Sequence, residues 1–272
     1  MYRRFDPGSD RYADWQQPPA KAQTPSQVDG PGAQFCPGCG SGVPLLPGLK
    51  IPEFVLWEAR DGMIVHPLDE LIAKYVRPDL EKAGFDGSRR RYSVESAEGN
   101  MVLVCFEPYA GGADEVNFHV DWALIPAALR AYHTESRPGA RPSVTWGLIY
   151  KRLEVPKEAK ARGFGRSLMW GFPVGVGVDG FGAVFNQVLT RTAIPEWLAL
   201  LQRDRIMEAL ADPDFQYLNF GVKDVARQRL ALYIDDGDPT ELRALIEQTE
   251  AWLPDDEMIP WYRARLDKRL AR

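Results

Sequence analysis

Cysteine and histidine are scarce in this chain, three of each in 272 residues, and the scarcity excludes a good deal. Cys36, Cys39 and Cys105 are too few to staple a protein of this length, and an odd thiol fits a reducing compartment, so a disulfide-built scaffold is set aside. A basic excess is missing too. With 33 Lys and Arg against 38 Asp and Glu, the formal net charge is -5, which argues against affinity gained by neutralising many phosphates. Neither nucleic acid nor an anionic membrane surface is expected as a partner. No stretch approaches the roughly 18 apolar residues of a spanning helix. The opening Met1-Tyr2-Arg3-Arg4-Phe5-Asp6-Pro7 runs into polar residues rather than the apolar stretch of a signal peptide, so the expected location is cytoplasmic. No internal repeat is visible.

Hydrophobic residues, by contrast, make up 45% of the chain and charged ones 26%, an ordinary globular balance with enough apolar surface for a sizeable core. Four regions follow from composition. Residues 1–34 are Pro, Gln, Asp, Gly and Ser with scattered aromatics and no apolar period, a stretch that cannot offset its ordering entropy and reads as a disordered tail. Residues 35–48 hold a cysteine knuckle and the linker Pro44-Leu45-Leu46-Pro47-Gly48. Residues 49–214 read as the core domain, and 215–272 as C-terminal helices packed on it.

Within the core, Leu68, Leu71, Ile72, Tyr75 and Val76 recur at three- and four-residue spacing, with Asp69 and Glu70 in the first turn, and predict a helix from Pro67. Pro78 should kink or end it, and Gly84 sits where a left-handed cap is wanted. The period then changes to two. Arg90 to Val94, Met101 to Phe106 and Val116 to Leu124 are rich in β-branched and aromatic residues and are separated by turn clusters such as Glu98-Gly99-Asn100, the pattern of an antiparallel meander. Met101 to Phe106 is apolar on both faces and reads as the central strand, with Cys105 as a core thiol. Further strands are expected at Ser143 to Arg152 and around Phe172 to Val178. Trp197, Leu198, Leu201, Ile206 and Leu210 fit one helix ending before Asp212-Pro213. Asp238-Pro239-Thr240-Glu241 combines an N-cap, a first-position proline and a glutamate able to close a capping box, and a last helix is expected from about Asp255 to Leu270. The fold class is therefore α+β: a mainly antiparallel sheet of about four to six strands flanked by helices, with a helical C-terminal extension and a disordered N-terminal tail.

The sharpest chemical signal is Cys36-Pro37-Gly38-Cys39-Gly40, because two thiolates at this spacing can grip one tetrahedral zinc. It is half of a ribbon. The remaining ligands would come from His66, Cys105, His119, His133 or another chain; an empty knuckle is the competing reading, and a redox pair lacks the surrounding βαβ pattern. Gly175-Val176-Gly177-Val178-Asp179-Gly180 matches dinucleotide-binding spacing, but strands that look antiparallel precede it, so it reads as bends in a strand or loop and no cofactor is assigned. In Val116 to Trp122, alternation puts Asn117, His119 and Asp121 on one face, which suits acid–base work or, more simply, a solvated outer face. Arg89-Arg90-Arg91 reads as a charged strand start that discourages edge pairing. Trp146, Trp170, Trp197, Trp252 and Trp261 lie in periodic apolar segments and read as packing residues.

The run from Leu80-Glu81-Lys82-Ala83-Gly84-Phe85 through a basic strand to Met101–Phe106 and Phe118-His119-Val120-Asp121-Trp122-Ala123-Leu124 resembles the bacterial domain of unknown function 4304 family over about His66 to Asp212. There a helix ending in Gly-Phe precedes strands, and a Phe-x-Val-Asn-Leu-Gly-like strand follows; Asp121, Trp122 and Ala123 replace its last three positions here. The resemblance implies an α+β domain and supplies no catalytic residue. The function expected is a non-catalytic protein-binding role in the bacterial cytoplasm, immunity-like or adaptor, with another protein as partner. The alternatives are an enzyme with its site on the polar face around His119, or a structural subunit of a larger assembly. For the metal reading, elemental analysis should find stoichiometric zinc in the purified protein and none in the Cys36→Ser/Cys39→Ser double variant; sub-stoichiometric zinc in the wild type rules it out.

Overall fold

The computed structural model of the chain describes residues 66–109, 114–211 and 225–271, so the expected tail, linker and knuckle, with Cys36 and Cys39, lie outside the described residues. The expected first helix is built in three pieces: Pro67–Leu71 (α1), a π turn over Ile72–Val76, and Arg77–Lys82 (α2). Pro78 is the cause. It has no N–H to give, and its ring would crowd the carbonyl four residues back. The preceding turn widens, and the Arg77 N–H bonds to the Ile72 carbonyl five residues back. The helix therefore bends around its proline and continues. Gly84, at φ +88°, is the expected left-handed cap: Phe85 N–H reaches the Leu80 carbonyl at 2.9 Å and Gly84 N–H the Glu81 carbonyl at 3.0 Å, which closes a Schellman motif.

Asp86–Ser88 (β1), Arg91–Glu95 (β2), Met101–Tyr109 (β3) and Glu115–Ile125 (β4) follow as the antiparallel meander that the period of two predicts. After them come Ala127–Ser136 (α3), Ile149–Arg152 (β5), Lys157–Ala161 (α4), Gly165–Arg166 (β6) and Met169–Pro173 (β7). The sheet is α+β in character: seven antiparallel strands in the order β1-β2-β3-β4-β7-β6, with β5 also on β4. The expected count is exceeded by the short β1 and β6. The strand at Ser143 is shorter than expected, because Val144–Trp146 forms a 3-10 turn before β5.

β3 is interior, the central place expected for Met101 to Phe106, and β4 beside it is the strand from which the sheet branches. One edge of β4 bonds to β3 along its length. Its other edge is divided, with Glu115 to Phe118 taking β7 and Asp121 to Leu124 taking β5. The chain between β5 and β7, with α4 and β6, loops out from that fork.

The expected strand through Val178 is corrected. β7 ends at Pro173, and the chain passes through a 3-10 turn into Gly177–Val188 (α5), a π turn over Leu189–Ala193 and Ile194–Ala199 (α6). Pro195 repeats the part of Pro78: Ile194 N–H bonds to the Leu189 carbonyl five residues back. The glycines weigh against a helix locally, yet a Cβ at Gly182 would lie 2.3 Å from the Tyr75 ring, so close passage of the two bent helices requires one of them. The helix expected from Trp197 to Leu210 is broken by a turn after Leu200, and Arg203–Ala211 (α7) is a separate element.

Val225–Tyr233 (α8), Pro239–Trp252 (α9) and Met258–Leu270 (α10) form the helical C-terminal part. Asp238 accepts from the N–H groups of Thr240 and Glu241 at 2.9 and 3.0 Å, the expected N-cap. The last helix starts three residues later than expected, where Asp256 accepts from Met258 N–H at 3.0 Å.

Both bent helices pack on one face of the sheet. Phe185 meets Phe118 of β4 at 5.6 Å and Trp170 of β7 at 4.8 Å, and Phe181 stacks on Phe172 at 4.7 Å. Trp170 keeps its indole N–H satisfied by donating to the Leu153 carbonyl at 3.0 Å. Trp122 and Phe85 surround Trp197 at 6.2 and 6.1 Å, and Trp146, Trp170 and Trp197 are buried as expected.

Candidate functional site

The register of the sheet lays one row of side chains across its other face: Arg91 on β2, Cys105 on β3, Asp121 on β4 and Arg152 on β5 are successive cross-strand partners. The sequence singles out Asp121, Cys105 and Arg91 separately but neither Arg152 nor the alignment of the four, because cross-strand partners depend on register, which local pattern does not give. Asp121 is only 7% exposed, so the solvated outer face expected here is corrected at this position. A carboxylate withdrawn from water needs a charge partner, and Arg152 Nε donates to Asp121 Oδ1 at 2.9 Å. Burial, with the Asp121 charge, raises the Tyr150 hydroxyl above its ordinary value and keeps it protonated at neutral pH. Arg91 Nη2 is buried with no hydrogen-bond partner.

His119 lies one row along this face, opposite Glu107. Its Nδ1 donates to the Leu168 carbonyl at 3.1 Å and its ring meets the edge of Tyr109 at 5.5 Å. The face thus gathers two carboxylates, a histidine and two arginines, with Asp121 committed to Arg152. The three expected arginines of the strand start separate: Arg90 makes a two-pronged ion pair with Asp69 of α1 at 2.7 and 2.9 Å, Arg91 joins the row, and Arg89 occupies a turn at φ 54°.

Each residue offered as completing the zinc knuckle has its own setting. His66 Nδ1 accepts from Leu68 N–H at 3.1 Å and caps α1; burial, then Arg90, lowers its pKa. His133 stacks on Trp146 at 4.8 Å, and burial, then Arg137, lowers its pKa. Cys105 is buried in the core, and desolvation pushes its thiol up to about 11. Among the described residues no group of three or more His, Cys, Asp or Glu could hold a metal ion. The glycine motif runs from a 3-10 turn into the first turn of α5, but the strand before it, β7, is antiparallel to both neighbours, whereas a dinucleotide fold needs a parallel crossover there. Asp179 of the motif holds Lys74 at 2.5 Å and the Tyr75 hydroxyl at 2.7 Å.

Two concavities open elsewhere on the molecule, the first of them reaching Arg152 at the end of the polar row. One, of about 960 Å³, opens at the fork of the sheet beside α5 and α6; the other, of about 560 Å³, lies between Tyr132, the end of α9 and the start of α10. At the second, Trp252 is 70% exposed, a correction to its expected place in packing. Its helix keeps Leu242, Ile246 and Thr249 buried, and Trp252 falls outside that face. Trp261 is partly buried, its indole N–H donating to Glu135 Oε2 at 2.6 Å.

No described helix is long and apolar enough to cross a membrane. Comparison with protein-family models, with curated proteins and with solved structures finds no match.

The raised Cys105 pKa gives a direct chemical expectation. A thiol that ionises at about 9 unfolded and about 11 folded keeps its proton more tightly in the native state, so the stability it contributes is intact below pH 9 and is lost as pH rises towards 11. In a Cys36→Ser/Cys39→Ser background, Ellman's reagent at pH 8 should label Cys105 at least about 100-fold more slowly in native buffer than in denaturant. Fast native labelling contradicts that setting.

Proposed function

We propose that this chain is a non-catalytic protein-binding module, an immunity-like or adaptor protein of the bacterial cytoplasm, and that it engages its partner at Trp252. The observation that carries this reading is the 70% exposure of a tryptophan at the mouth of a groove. Leaving so much apolar surface in water is unfavourable unless a partner covers it. Tryptophan is also the residue type most often found to dominate interfaces, since it brings a large rigid surface at little cost in side-chain entropy.

The surroundings suit a partner segment that pairs an apolar side chain with a basic one. Tyr132, Leu253, Pro254 and Met258 supply apolar wall. Asp256 is already matched by Arg227 at 2.9 Å, whereas Asp255 and Glu257 make no ion pair with any described residue. Those two carboxylates would meet a Lys or Arg on the partner's rim and set its orientation more than its affinity. The resemblance to the domain of unknown function 4304 family is part of this proposal as regards the central domain and assigns no residue a role.

A second reading, an enzyme working on the polar face around His119, draws on the buried unpartnered Arg91 Nη2. An orphaned cationic donor is where a substrate anion would sit.

The full chain and its Trp252→Ala variant, used as baits in native lysate at physiological salt, test the first reading. One protein should be retained by the wild type in stoichiometric amount, and its retention should fall by about tenfold or more with the variant, the usual loss at an aromatic anchor. Equal retention by the two baits overturns it.

A further inference from the structure

We propose that the cleft at the fork of the sheet is a binding site for a small organic anion, a carboxylate or phosphate monoester carrying an apolar body. The fork creates the cleft. β5 and β7 share one edge of β4, and the chain between them turns out through α4 to make one wall. The bent helix of α5, its π turn and α6 makes the other, and Trp122 and Leu153 lie at the bottom. At about 960 Å³ the space falls in the range of small-molecule sites. Leu153, Leu168, Val184 and Val188 give it the apolar surface against which a hydrocarbon or ring would pack.

The charge pattern selects an anion. Many arginines elsewhere on the described surface are matched with carboxylates, as in Arg90–Asp69, Arg130–Glu95, Arg203–Asp236 and Arg265–Asp235, and those that are not, such as Arg89 and Arg137, do not line this cleft. Arg162 on one wall and Arg191 on the other line the cleft, and neither guanidinium makes an ion pair or hydrogen bond with a described residue. Guanidinium groups are the preferred partners of carboxylate and phosphate because their donors form a planar fork. Lys151 and Arg152 add positive charge, the second already neutralised by Asp121. Glu154, Glu158 and Glu196 also line the space, so the ligand has a single compact anionic head rather than charge spread along its length, and a hydrogen-bond donor on its body is accommodated.

Two independent features support a built site. Arg191 and Thr192 project from the π turn over Leu189–Ala193, and such wide turns recur at functional positions because they re-aim side chains out of helical register. Glu196 opens to solvent, yet its carboxyl is raised from the ordinary value by desolvation, with Lys151 opposing. That is how a carboxylate in a recess behaves, in contrast to one on an open helix surface.

Fluorescence titration of the full chain with 1-anilinonaphthalene-8-sulfonate, an aromatic body with one anionic head, is the test. The wild type and the Trp252→Ala variant should bind one probe per chain saturably. The Arg162→Ala/Arg191→Ala variant, two exposed substitutions that leave the thermal transition in place, should bind about tenfold more weakly or worse. The uncharged N-phenyl-1-naphthylamine should bind wild type and double-alanine variant alike. Displacement of the sulfonate probe by phenyl phosphate or by benzoate then assigns the headgroup. Absence of saturable binding, coincident titrations of wild type and double-alanine variant, or displacement by neither competitor overturns the proposal. Loss of binding only in the Trp252→Ala variant places the probe at the α9 groove and overturns it too, without bearing on whether Trp252 anchors a protein.

Discussion

The contact of Phe181 and Phe185 with the aromatic face of the sheet is what the rest of this structure depends on. Phe185 touches Phe118 at 5.6 Å, Phe106 at 6.4 Å and Trp170 at 4.8 Å, so one side chain spans β3, β4 and β7. These are edge-to-face arrangements, which add roughly 0.5–1.5 kcal/mol per pair to the gain from burial itself. By fixing α5 over β4, the contact also fixes where Arg191 and Glu196 stand opposite the β5 side of the fork. The cleft is therefore a consequence of core packing rather than a separate construction.

Two prolines shape the helical layer in the same way. Pro78 and Pro195 each follow a π turn and occupy the second position of the α segment after it. Where the bent helices meet, Asn186 Nδ2 donates to the Tyr75 carbonyl at 2.7 Å and to Asp79 Oδ2 at 2.5 Å. Tyr75 belongs to the first π turn, so an asparagine from one helix satisfies backbone near the irregular turn of the other. Buried irregular backbone needs such partners. Gly182 beneath the Tyr75 ring completes the crossing.

Much of this was legible in the sequence, for identifiable reasons. Gly84, the meander from β2 to β4 and the Asp238 cap follow from local chemistry, and local chemistry was enough to place them. The two-faced apolar run of β3 announced an interior strand. What escaped depends on contacts distant in sequence. The glycines before Phe181 weigh against a helix by their own propensity, and only Tyr75, over a hundred positions earlier, explains Gly182. The division of one edge of β4 between β5 and β7 is a choice of neighbours that no period records. The Arg91–Cys105–Asp121–Arg152 row needs three registers at once. Trp252 was misplaced because an apolar residue near a helix end fits a periodic pattern whether or not anything covers it.

The described part of the chain carries two separate surfaces, an exposed tryptophan on the C-terminal helices and a charged cleft at the fork, and the cleft is set by the packed face. Native-state hydrogen exchange on the Phe185→Ala variant tests that dependence most directly. Truncation should cost about 3–5 kcal/mol, with the slowest amides of β4 and of α5 losing protection together and by the same amount. Loss confined to α5, with β4 as protected as in the wild type, would contradict the claim that this contact holds the sheet and its helical layer as one unit.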